Sequence, residues 1–139
     1  MIHAVLKGIS DALSLEFGYS VYIEEIPQDL QEPCFFISCV QSAVRQQSIK
    51  SYFMENQFGV QLILNSQANP NAKCYETAEK LIWRLEIIQA DCGSLRGSKM
   101  KYEVVDGVLH FFVNYDFYMK KTEEQTAMAE LKSQINMKG

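Results

Sequence analysis

The sequence is short of the residues that chemistry needs. It has two histidines in 139 residues, His3 and His110. No G-x-S-x-G, H-E-x-x-H or G-x-G-x-x-G pattern occurs, which excludes the nucleophile elbow, the zinc-protease helix and the dinucleotide loop as motifs. Gly93-Ser94-Leu95-Arg96-Gly97 has two glycines but lacks the Lys-Ser/Thr and the spacing of a phosphate-binding loop, and it reads as a flexible loop. The four cysteines, Cys34, Cys39, Cys74 and Cys92, contain no C-x-x-C pair, so a zinc knuckle or thioredoxin-type motif is excluded. Three of them fall in apolar runs or on an apolar helix face. They read as small buried hydrophobes of a reduced compartment, with a disulfide framework as the competing reading. Cations are also scarce: Asp and Glu outnumber Lys and Arg by 17 to 13, and the net charge is −4. Tight DNA binding rests on neutralising phosphates, and the nearest approach to a basic cluster is Arg96, Lys99 and Lys101, so DNA binding is not expected. No apolar run approaches the roughly 20 residues of a membrane-spanning helix, and the N-terminal stretch is amphipathic rather than a signal peptide. A protein of the cytoplasm, or of a particle assembled there, is expected.

What is present is a core. Hydrophobic residues make up 47% of the chain and aromatics 12%, enough for one packed domain without staples. Residues 2–16 predict a helix, with Ile2, Val5, Leu6, Ile9, Ala12 and Leu13 on one face and Gly18 placed to end it. Alternation predicts a strand at 19–26, and the proline-bracketed 27–33 a loop. The run 34–40 is apolar on both faces and reads as a central strand. Residues 41–48 are polar and aperiodic, and read as a connection or a long hairpin tip. Two strands fit 48–55 and 57–65, followed by turn residues from Asn65 to Asn71. A second helix begins at Pro70 with Asn69 as its N-cap, and Cys74, Ala78, Leu81, Ile82, Leu85 and Ile88 form its buried stripe.

Asp106-Gly107 is a hairpin turn between two alternating runs. A two-residue loop pairs Val105 with Val108, Val104 with Leu109, Tyr102 with Phe111 and Met100 with Val113. The second strand continues apolar through Tyr115, Phe117 and Met119, outruns its partner, and must pair elsewhere or protrude. One more strand fits within 89–96. The whole order predicts an α+β fold over residues 1–121, a mainly antiparallel sheet with two helices on one face. Residues 122–139 form a polar tail. Thr122 and Gln125 there suit a capping box, and Met128, Leu131 and Ile135 give a thin apolar stripe, consistent with a short docking helix or a frayed end.

Two groups of residues invite a functional reading. The hairpin register sets Glu103 opposite His110, and Asn114 and Asp116 share that strand face. An acid–base couple or metal site there is set against a solvated strand face, which is far commoner. Trp83 and Ile87 project away from the stripe of the second helix. They are covered by sheet and loop, or they form an exposed interface pair, since Trp is enriched at interface hot spots.

Several stretches resemble a family of small prophage proteins of Gram-positive bacteria, the phage tail terminators. They are Glu24-Glu25, the run from Gln31 to Ile37, and above all the long run from Arg96 through Asp106-Gly107 to Phe117. The element order fits over nearly all of the chain before the polar tail. The resemblance implies a non-catalytic virion protein without cofactor or metal, assembled in the bacterial cytoplasm. It implies a hexameric ring that caps the tail tube, stops its polymerisation and receives the neck or head completion proteins, and the sheath in a contractile tail. DNA would pass through the lumen unread, and no membrane is involved. A closed ring needs two different patches per subunit. Trp83 and Ile87 suit one, and Phe117, Met119, Met128 and Leu131 the other. The alternatives are another head–tail connector, a small ligand-binding α+β domain, or a monomeric adaptor working through 41–56.

Overall fold

The computed structural model describes residues 1–64 and 69–121. Helix α1 (Ile2–Phe17) ends at Gly18, which takes the left-handed conformation (φ 73°) and donates its N–H to Ser14 O. A glycine does this without a Cβ penalty. Val5, Leu6, Ile9 and Leu13 are fully buried, as the spacing predicts. Strand β1 (Ser20–Ile23) pairs in parallel with β2 (Cys34–Ser48). Strand β3 (Ser51–Ile63) returns antiparallel along the whole of β2. Helix α2 (Pro70–Arg84) leads to the short β4 (Ile87–Ala90), then β5 (Gly93–Val105), β6 (Val108–Tyr115) and β7 (Phe117–Lys120).

The strand order is β1-β2-β3-β6-β5-β4, with β7 pairing onto the free part of β3, and all pairs but β1–β2 are antiparallel. Both helices cover one face: α2 lies on β5 and β6, and α1 touches β1 and β2 at one edge and β4 at the other. One helix reaches both edges only if the sheet curls. Register shifts in β2 after Cys39 and in β5 between Ser98 and Lys101 provide the bends. The core lies between the curled sheet and the helices. Phe35, Ile37, Phe58, Val60, Leu62, Leu109, Phe111, Val113 and Tyr115 come from the strands, and Cys74, Ala78, Leu81 and Leu85 from α2 and its end.

The last hairpin matches its expected register at Val105–Val108, Val104–Leu109 and Tyr102–Phe111. Met100 does not pair with Val113. Lys99 takes a left-handed φ of 50°, and the bulge there drops Met100 out of the ladder.

Five other expectations are corrected. Residues 41–48 are strand, part of β2, and 51–63 is one strand rather than two. Residues 93–97 are strand, not loop. Asn69 precedes α2 in a left-handed conformation (φ 58°) and makes no side-chain cap bond, although Pro70 does open the helix. Ile87 and Ile88 lie on β4, because the helix stops at Arg84 with Leu85 as its C-cap. The expected turn at 65–71 lies partly, and the tail wholly, outside the described residues.

Candidate interaction surfaces

The polar face of β6 does not assemble a reactive site. Glu103 does pair with His110 across the hairpin, on the sheet face that the helices leave open. Asp116, however, is occupied: its Oδ1 accepts the backbone N–H of Asn56 at 3.0 Å. Asn114 is nearly buried beside Gln57 and Ser98. The hollow beside His110, shared with Ser38, Gly59 and Phe112, holds only about 30 Å³. Among the described residues no three His, Cys, Asp or Glu side chains group as metal ligands.

Asn56 and Asp116 instead organise a different feature. β3 pairs with β6 up to Gln57 and with β7 from Met54 onward, so Asn56 stands where the sheet changes partner. Its side chain is completely buried. It accepts from Ser42 Oγ at 2.6 Å and donates to Tyr115 O at 3.0 Å, while its N–H is taken by Asp116. A buried amide with its polar atoms satisfied fixes a geometry at little net cost. Beyond this junction β2, β3 and β7 continue as a three-stranded arm. Residues 40–50 of its outer strand and tip are all exposed. At about 3.3 Å per residue, the eight residues 41–48 give an arm of roughly 26 Å.

Aromatic packing stiffens the arm. Phe53 and Tyr118 are tilted against each other at 4.8 Å, Arg45 lies over Phe53 and Lys121 over Tyr52. Lys121 donates its N–H to Lys50 O, which ties the end of β7 to the hairpin tip. Met119, expected at a partner surface, is 42% exposed on this arm. Phe117, expected with it, belongs to the core at 7% exposure, because β7 turns that side chain inward. Tyr118, which the sequence did not single out, is exposed instead. Met128 and Leu131 lie outside the described residues.

The second surface lies between α1, the end of α2 and β4. It is a groove of about 400 Å³ with Gly8, Ala12 and Ile88 among its lining residues. Gly8 is required by the packing: a Cβ there would stand 2.8 Å from Gln89 O. Trp83, Ile87 and Leu15 flank the groove, exposed at 76%, 54% and 82%. Trp83 and Ile87 therefore come together from two elements, and Leu15 joins them. A second hollow, of about 310 Å³, opens on the other flank of Trp83 toward Met100. The turn that carries Trp83 and Ile87 is held from beneath. Tyr115 Oη donates to Leu85 O at 2.6 Å, and Gly97 N donates to Glu86 O at 2.7 Å. Around the rim, Arg84 pairs with Glu16, and Arg96 with Glu86 at 3.5 Å.

The cysteine expectation is supported in part. Among the described residues all four are free; Cys34 and Cys74 are buried, Cys39 is half-buried and Cys92 exposed. Burial pushes the thiols of Cys34, Cys39 and Cys74 above the usual range.

No curated protein matches the chain. One solved chain of 11% identity aligns over 86% of this chain and 92% of its own length with a TM-score of 0.46, a likeness too weak to bear on fold or function. A family model described as phage tail terminator protein matches residues 4–127, which includes every described element from the body of α1 to β7. The chain therefore belongs to the phage tail terminator family, and is a structural, non-catalytic protein of the virion tail.

Proposed function

We propose that the protein forms a ring, probed first as a hexamer, on the last layer of the tail tube. The ring stops tube growth and gives the neck or head completion proteins, and a sheath where there is one, a surface to dock on. The observation that carries this reading is that the described residues leave two unlike surfaces uncovered, the arm and the Trp83 groove. Two different patches on one subunit are what a head-to-tail, cyclic interface requires. An isologous dimer would need only one. Trp83 lies within a partly apolar depression with charged residues at its edge, the arrangement of an interface hot spot.

The open sheet face mixes polar His110, Gln61, Gln57 and Lys101 with Phe36 and Phe112, and among the described residues it carries no basic cluster dense enough to grip DNA, which suits passage of DNA without specific binding. Growth of tail tubes from purified tube protein tests the reading. Added at substoichiometric amounts, this chain shortens the tubes and marks one end of each. Tubes that grow to the same length in its presence, with bare ends, count against it.

A further inference from the structure

We infer that the arm of one subunit seats in the Trp83 groove of a second copy, with Ile49 at the hairpin tip as its apolar plug. This rests on the ring reading above and adds which surface meets which.

Three observations support the pairing. The first is the turn itself. Between Ser48 and Ser51 the arm reverses through Ile49 and Lys50, and Ile49 is 73% exposed. Hairpin turns favour Gly, Asn and Asp, whose backbone freedom or short polar side chains suit the bend. An isoleucine gives the turn nothing, and here it touches no core. Val44, 61% exposed, adds a second apolar side chain along the same strand. The second is charge. Among the described residues the arm's end carries Arg45, Lys50, Lys120 and Lys121 against one carboxylate, Glu55. The groove and its rim carry Asp11, Glu16 and Glu86 against Arg84 and Arg96. The cations of the arm thus face a rim that is negative by one charge, that of Asp11, since Glu16 and Glu86 pair with Arg84 and Arg96. The third is independence. Arm and groove share no residue, so each subunit can offer its arm to one neighbour and its groove to the other, and the chain of contacts can close.

Cysteines placed at both ends of the contact test it on assembled caps. In a Cys92→Ser background, Ile49→Cys and Ile87→Cys are introduced singly and together into the full chain, added to tail tubes and treated with a short bis-maleimide. The double variant is expected to give a ladder of cross-linked multimers, and each single variant only monomers. Caps visible on the tubes with only monomers from the double variant overturn the docking while leaving the ring intact. Wild-type protein that never caps tubes overturns the ring reading, and the docking with it. Ile49→Asp is expected to raise the concentration for half-maximal capping at least about tenfold, worth about 1.4 kcal/mol. If Ile49→Asp caps as wild type while removal of residues 122–139 abolishes capping, the groove receives the tail rather than the arm, and the inference fails.

Discussion

Tyr115→Phe removes one oxygen atom and tests how the interface is held from inside. Tyr115 ends β6, is fully buried, and donates to the carbonyl of Leu85 at 2.6 Å. Leu85 is the C-cap of α2, where helix carbonyls run out of intrahelical partners. Without the hydroxyl that carbonyl stays buried and unpaired, at a cost of about 1–3 kcal/mol. For a domain of this size the melting temperature falls by roughly 3–9 °C. The ring of Tyr115 still packs against Phe58, so the loss is that of a hydrogen bond and not of a core.

The pH dependence separates the two. Burial raises the Tyr115 hydroxyl well above its ordinary value of 10.0. The folded state then holds its proton where the unfolded state has released it. The stability this group contributes is complete below pH 10 and is lost as pH rises beyond it. Thermal melts of the two proteins across the alkaline range are the assay. Wild type should fall steeply above that pH and Tyr115→Phe less so, the two curves converging. Equal melting temperatures at neutral pH, with parallel alkaline slopes, would refute the buried hydrogen bond.

Other consequences are as direct. Gly97→Ala puts a Cβ 2.5 Å from Leu85 O and 2.9 Å from Val113 Cγ2, and should cost about 1–3 kcal/mol in chemical denaturation. Asn56→Ala strips the arm's root of its bonds to Ser42 and Tyr115, and hydrogen exchange should speed up in residues 51–55 and 117–120 while the helices keep their protection. With a maleimide on native protein, mass spectrometry should find Cys92 modified first, since Cys34 and Cys74 are buried and their thiols are raised. Trp83→Ala, at a site 76% exposed, should change folding stability by less than about 0.5 kcal/mol yet weaken capping of tubes.

The sequence made the covered half of the molecule legible. α1, the core strands and the last hairpin each bury one face, and burial on one face is what writes a period into a sequence. Residues 41–48 read as a connection or a long hairpin tip; the hairpin is there, and its strand pairing was hidden for the same reason in reverse. Among the described residues nothing covers 41–48, so Gln41, Ser42, Gln46 and Gln47 carry no alternation to read. The start of β5 was hidden by glycine. Gly97 reads as a loop residue, but its role is close approach to the end of α2, which appears only once the strand is placed. The candidate surface was legible in part. Trp83 and Ile87 looked solvent-facing because they break the helical stripe, whereas Leu15, on the outer side of α1, looked ordinary. Phe117 and Met119 follow the same alternation on one strand, and only their positions along the arm, Phe117 at its root and Met119 farther out, bury one and expose the other.

The most direct test of the central claim is to image the ends of tail tubes incubated with the purified protein and to count the subunits at the capped end. The account predicts a closed ring at one end only, of about six copies, which needs at least about tenfold more protein when Ile49→Asp replaces wild type. Protein that stays monomeric and leaves both tube ends bare at every concentration would contradict it.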